Sequence, residues 1–195
     1  MLEWAVSDRP LPGEPVSGDR ALVSVDGDGR ALAFVVDGIG HGSEAAHAAE
    51  RAVRAVEPAP SRDVVALAER CHAELAGTRG AAIAIATIDG ASGLLAWLGV
   101  GNVEGRIVHG DRGVESLRLA PGMVGHRLPR LCESAAALGR GDLLLLATDG
   151  IEPGFADALR THGSCEEIAA RVLAAHGRAS DDALVLACRY LGDGR

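Results

Sequence analysis

Aromatic residues supply only 3% of this 195-residue chain, so its core has to be built from Ala, Val, Leu and Ile rather than from rings. Cysteine is scarce and scattered. Cys71, Cys132, Cys165 and Cys188 form no CxxC pair, which argues against a zinc site and for free thiols in a reducing compartment. Basic clusters are absent, and the net charge is −8. Both argue against a nucleic-acid footprint and against attraction to an anionic membrane surface. No apolar run approaches the length of a membrane span. Met1 to Asp8 has neither the basic start nor the long apolar stretch of a secretory leader. The expectation is a cytoplasmic protein with neither nucleic acid nor membrane among its partners.

What is present is a chain that is 48% apolar and of a length that suits one sizeable domain, expected over residues 1–195. Ala21 to Asp26 and Arg30 to Val36 read as strands joined by the hairpin signal Asp26-Gly27-Asp28-Gly29. Ser43 is expected to cap an alanine-rich helix ended by Pro58 and Pro60, with Glu44 in its first turn. Ser61 is expected to cap a second helix reaching Ala76, with Val64, Leu67, Ala68, Cys71 and Leu75 on one face. Gly80 to Ile88, Leu94 to Val100, Gly105 to Val108 and Val114 to Leu119 read as strands, and Pro121 to Ser134 as an irregular segment. Leu143 to Ala147 predicts a strand buried on both faces. Glu166 to His176 predicts a helix, with Ser164 or Cys165 near its cap, and Ala183 to Tyr190 a last strand. That order does not alternate as a doubly wound fold would. It predicts an α+β fold of packed sheets with helices outside.

The chemistry lies in aspartates placed at strand ends. Val36-Asp37-Gly38-Ile39-Gly40-His41-Gly42 follows one strand, Thr148-Asp149-Gly150 follows another, and Ser180-Asp181-Asp182 precedes a third. Ser17-Gly18-Asp19 lies upstream of the first hairpin. Hard divalent cations take oxygen ligands of this kind, and Gly38 offers a bare carbonyl beside the Asp37 carboxylate. Two Mg²⁺ or Mn²⁺ ions roughly 3.5–4 Å apart can share a hydroxide and neutralise a phosphoryl group. Taken singly, Asp37-Gly38 and Asp149-Gly150 also read as turns. Together with Asp181 they point to metal-assisted phosphate-ester hydrolysis. Asp26-Gly27, Asp28-Gly29, Asp89-Gly90 and Asp193-Gly194 read as turns alone.

In this order, these segments resemble the PPM-type metal-dependent serine/threonine phosphatases, in their bacterial SpoIIE-like branch. Glu69-Arg70-Cys71, Arg79-Gly80-Ala81 and Gly99-Val100-Gly101-Asn102 narrow the resemblance to the small feedback phosphatases of the stressosome. It covers about Val16 to Tyr190 and implies a β-sandwich flanked by helices in four αββα layers. It further implies that Asp37 bridges two metals, that the Gly38 carbonyl binds one, and that Asp149 and Asp181 complete the other site. Asp19 matches the first acidic motif, and Asp182 stands where many relatives carry Asn, as a supporting residue. The catalytic set is then Asp37, Asp149 and Asp181, with Mn²⁺ or Mg²⁺ as cofactor. The implied partner is a phosphorylated STAS-domain protein of a stressosome or anti-sigma pathway.

Two positions depart from the larger eukaryotic-type members. Gly18 replaces a Glu before the first Asp, and Ile39 replaces a His thought to protonate the leaving alkoxide. His41 is a candidate substitute, and a helix-start His facing solvent is the alternative. His47 and His72 read as helix-surface residues, and Trp97 as core. Arg79 and Asn102 are candidates for lining the site, with surface and turn roles as alternatives. The segment Pro121 to Ser134, with Arg127 and Arg130, is the expected partner-recognition loop. Gly18 and Ile39 also favour a rival reading, a pseudo-phosphatase that binds a partner without turnover. A third reading is a hydrolase of small phosphate esters.

Overall fold

The computed structural model describes residues 2–57, 63–157 and 159–192, and all of these except the side chain of Asp111. The expected breaker prolines Pro58 and Pro60, the expected cap Ser61 and the Asp193-Gly194 turn lie outside the described residues. The strands are β1 (Leu2–Arg9), β2 (Asp19–Val25), β3 (Arg30–Gly38), β4 (Ala81–Asp89), β5 (Leu94–Val100), β6 (Glu104–Val108), β7 (Val114–Ser116), β8 (Leu119–Ala120), β9 (Ser134–Ala137), β10 (Leu143–Ala147) and β11 (Ala183–Tyr190). The α-helices are α1 (Gly42–Val56), α2 (Val64–Glu74) and α3 (Cys165–His176).

The strands form two sheets, one in the order β1-β11-β10-β6-β7 and one in the order β2-β3-β4-β5-β8, with β9 also pairing β5. Period-two alternation sorts each central strand between two cores. Ala31, Ala33 and Val35 of β3 and Ala82, Ala84 and Ala86 of β4 meet Leu144, Leu146, Leu184 and Leu186 of the other sheet. Small side chains on one sheet thus face large ones on the other, which closes the layer without rings from every strand. Leu32, Phe34 and Val36 turn outward beneath α1 and α2. Leu143, Leu145, Val185 and Ala187 turn outward beneath α3. The layers are α, β, β, α, as the resemblance implies, with the pair α1 and α2 on one face and α3 on the other.

Several local readings hold and several shift. The first hairpin is tied by Asp26, whose Oδ1 accepts from Asp28 N at 3.1 Å and Arg30 N at 2.8 Å. Trp97 is buried and donates Nε1–H to the Arg118 carbonyl at 2.7 Å. Ser43 does not cap α1. Gly40 and Gly42 both take positive φ (89° and 73°), so the helix opens on Gly42 and His41 becomes the extended N-cap. The cap of α2 is Asp63, which accepts from Val65 N and Ala66 N. Ser164 and Glu167 form a capping box at α3. The strands β1 and β9 are additions. β1 alternates Leu2, Trp4 and Val6 with Glu3 and Ser7, a strand pattern hidden only by its position at the chain start. Ser134–Ala137 is alanine-rich, and only its pairing with β5 makes it a strand.

Candidate metal centre

The inter-sheet row of side chains changes character at one end of the sandwich. On β3, the alternation that sends Ala31, Ala33 and Val35 between the sheets carries Asp37 to the same side. On β2 the same alternation carries Asp19 inward, and the two aspartates are direct cross-strand partners. From the opposite sheet, Thr148-Asp149 follow the end of β10 and β11 begins after Asp181-Asp182. Antiparallel pairing of β10 with β11 puts these ends side by side, since Ala147 pairs Val185 and Thr148 N bonds the Leu184 carbonyl. Every acidic residue named from the sequence for this site therefore comes to one end of one layer.

Like charges directly opposite on paired strands repel. The Asp37 carboxyl is pushed up to about 9 by burial first, then by Asp19, Asp149, Asp181 and Asp182. Asp19 is pushed up to about 7 by burial, a shift restrained by the Thr148 hydroxyl and increased by Asp182, Asp149 and Asp181. Asp181 is raised by burial and then by Asp149. No three His, Cys, Asp or Glu side chains among the described residues are already drawn together as a closed cage. The donor set is open and made of oxygens that destabilise one another as anions. A divalent cation removes that penalty, so the residues fit Mg²⁺ or Mn²⁺ by donor chemistry and by electrostatics.

Hydrogen bonds fix the carboxylates from behind. Thr148 Oγ1 donates to Asp19 Oδ2 at 2.7 Å and accepts from Leu184 N at 2.9 Å, stitching one sheet to the other. Asn102 Nδ2 donates to Asp149 Oδ2 at 2.6 Å, so Asn102 does line the site. Arg178 Nη1 reaches the Asp149 carbonyl at 3.1 Å. Asp182 is buried, and it accepts from Gly18 N and Leu11 N, each at 2.7 Å. Its lone pairs hold backbone, which suits a supporting residue. Glycines let the elements close up. A side chain at Gly38 would run into the Ala45 carbonyl of α1, and one at Gly150 into the Asp182 carbonyl. Arg79 lies at the rim, ion-paired to Glu44 at 3.3 Å, with Nη1 3.0 Å from where a Gly40 Cβ would sit.

The expected recognition segment is not wholly superficial. Val124 is buried and exchanges both backbone bonds with Ala81, beside Gly80 and the Asp37 loop. Sequence reading missed two residues that contact the candidate site's side chains. The Thr148 hydroxyl carried a faint signal, as the residue before Asp149. Glu14, which contacts His41, carried none.

A two-sheet sandwich between helices, with aspartates of both sheets meeting at one end, is the fold of the PPM or PP2C-type phosphatases. Residues 27–191 match the family described as Stage II sporulation protein E (SpoIIE), and the chain belongs to that family of phosphatases. It is 30% identical over 159 residues to the phosphoserine phosphatase RsbX of Bacillus subtilis (strain 168), spanning 80% of this chain and 78% of RsbX. A chain solved in work on the bacterial stressosome, described there as a modular system adapted to control secondary messenger signaling, superposes with a TM-score of 0.86. It shares 33% identity, over 97% of this chain and 100% of that one. RsbX in complex with magnesium superposes with a TM-score of 0.86 at 24% identity, over 96% and 94% of the two chains.

Proposed function

We propose that this phosphatase removes phosphate from serine or threonine of a stressosome or anti-sigma pathway protein, with two Mn²⁺ or Mg²⁺ ions at the aspartate cluster. The observation that carries the reading is the convergence of Asp19, Asp37, Asp149 and Asp181, whose burial and mutual repulsion as anions a bound cation would offset. The substrate class is argued from similarity to RsbX and to a stressosome chain. A cytoplasmic setting fits such a partner, and no helix among the described residues is long and apolar enough to cross a membrane.

In this reading Asp37 and the Gly38 carbonyl hold the ions from one sheet, and Asp149 and Asp181 hold them from the other. Asp19 supports the site directly or through water. Bound metal supplies water activation and neutralises charge developing on the phosphoryl oxygens. The chain's own part is to hold those ligands still. Thr148 fixes Asp19, Asn102 orients Asp149, and Asp182 anchors the segment that enters β2.

The test is phosphate release from a phosphorylated STAS-domain protein by the full chain with Mn²⁺, with Mg²⁺ and with chelator. We expect metal-dependent turnover that Asp37→Asn and Asp149→Asn each abolish with the fold retained. Calorimetric metal binding without release from several phosphoproteins would instead support the pseudo-phosphatase reading.

A further inference from the structure

Arginine suits the recognition of oxyanions, because its planar guanidinium presents five N–H donors in a fixed fork. Around the aspartate cluster some guanidiniums are already engaged by carboxylates. Arg20 pairs with Glu50 at 3.9 Å and Arg79 with Glu44 at 3.3 Å. Arg9 and Arg178 differ. Their hydrogen bonds go to backbone carbonyls, and neither forms an ion pair among the described residues, in a chain whose net charge is −8.

The two meet where β1 ends and β11 is about to begin. Antiparallel pairing sets Arg9 opposite Ala183, close after Asp181-Asp182. Arg9 Nη2 donates to the Arg178 carbonyl at 2.6 Å. Arg178 in turn grips the segment that carries Asp149. Its backbone N–H bonds the Gly150 carbonyl at 2.7 Å, and its Nη1 bonds the Asp149 carbonyl at 3.1 Å. The residue is exposed, and the rest of its fork makes no bond among the described residues. Arg9 is half-buried, and its Nε, fully covered, finds no acceptor among them. Burial without an acid partner leaves the Arg9 charge poorly stabilised, so an anion set beside the pair is favoured. Two cations without an acid, one of them anchored on the main chain of Asp149, make a basic edge on an otherwise acidic site.

We propose that Arg9 and Arg178 form a subsite for an acidic side chain of the phosphoprotein, a few residues from the phosphorylated serine or threonine, so that the phosphatase favours acidic phosphorylation sites. This rests on the phosphatase reading above. The reach follows from the anchoring. With Nη1 on the Asp149 main chain, an anion on the remaining donors lies within about two or three residues of extended chain from a phosphoryl group held at the carboxylates. Arg178 is the residue that contacts the substrate. Arg9 holds the Arg178 carbonyl and adds a second positive charge. The contact is exposed, so it is worth about fivefold in preference and is screened by salt.

The experiment measures kcat/KM of the full chain with Mn²⁺ on three phosphoserine peptides that differ only beside the phosphoserine, with Glu, Gln or Lys on both sides. Preference is read as a ratio within each protein, so a general loss from disturbing Asp149 cancels. We expect wild type to favour the Glu peptide over the Gln peptide about fivefold at low salt, through KM, and by less at high salt. Arg178→Gln should bring that ratio close to one, and Arg9→Gln should lower it. Arg178→Glu should turn the preference over, with the Lys peptide ahead of the Gln peptide. A wild-type ratio close to one, or a ratio that survives Arg178→Gln while all three peptides slow together, would overturn the subsite and leave the guanidinium as a support for Asp149 alone. So would an Arg178→Glu protein that gains nothing on the Lys peptide. A wild type that releases phosphate from none of the three in metal would instead remove the phosphatase reading itself, and the subsite with it.

Discussion

Thr148 shows how much of this site depends on a single uncharged hydroxyl. It is buried, and it joins Asp19 of β2 to the Leu184 N–H of β11. Thr148→Val keeps the shape but leaves the Leu184 N–H and one oxygen of Asp19 without that partner. The expected cost is about 1–3 kcal/mol in urea unfolding. Phosphatase turnover should fall as well, because Asp19 is freed to move. A variant as stable and as active as wild type would show that the stitch between the sheets is idle. At this scale the sequence was generous about charge and silent about support. Asp19, Asp37, Asp149 and Asp181 were legible because each stands at a strand end, three of them beside glycine. Glu14 was not, because nothing local to it marks a residue that meets its partner only after β1 and α1 are in place.

At the scale of elements, the entry of β2 beneath α1 explains one departure from the larger phosphatases. A Cβ at Gly18 would lie 2.7 Å from the Ala45 Cβ and 3.1 Å from Asp182 Oδ2. The position that carries Glu in those relatives is here closed by packing, so the change is tied to the close approach of the helix. Gly18→Ala is expected to cost about 1–3 kcal/mol by overpacking. Ala45→Gly alone costs roughly 1 kcal/mol of helix propensity. Combined, the two should cost less than their sum, since the glycine on α1 opens the space that the strand has taken. Urea unfolding of the four proteins of that cycle measures the coupling, and strict additivity would mean the two positions do not press on each other. Element types were mostly readable from periodicity. The start of α1 was not, because Ser43 looked like a cap while the glycines around His41 set where the backbone could turn.

Over the whole molecule, the two ends of the sandwich respond to pH in opposite senses. At the aspartate end, Asp19 and Asp37 are raised to about 7 and about 9 by burial and by their acidic neighbours. Both lie above the unfolded value of about 3.9. The folded state then holds protons that the unfolded chain has released, so without metal these groups lower stability as pH rises through that window. At the far end, Asp142 precedes β10 and is buried. Burial alone would raise its carboxyl, but the His109 ring at 2.6 Å, the Gly139 N–H and the Arg112 guanidinium outweigh it, and the net shift is downward. A lowered carboxylate contributes stability above its unfolded value and loses it as pH falls through the folded one. In chelator, Tm should therefore fall from about pH 5 to pH 9, and Mn²⁺ should restore it. Asp37→Asn should flatten that alkaline fall and raise Tm in chelator at neutral pH. Asp142→Asn should lower Tm at neutral pH and weaken the loss on the acid side. A chelated protein that gains stability between pH 5 and 9 would contradict the picture of mutually repelling carboxylates.

The sequence by itself marked out the aspartates that gather at one end of the sandwich, and it determined that packed sheets lie beneath helices. Those are matters of residue type, period and strand-end placement, and each is written within a few neighbouring positions. Only the tertiary structure decided which side chains stand behind the aspartates. Thr148 reaches Asp19, Asp182 reaches Gly18, and Glu14 reaches His41 across long stretches of chain. Such contacts depend on how one sheet is stacked on the other and on how closely α1 lies against β2 and β3. Sheet stacking and helix approach are set by the packing of the whole core, to which every strand contributes and which no single segment encodes.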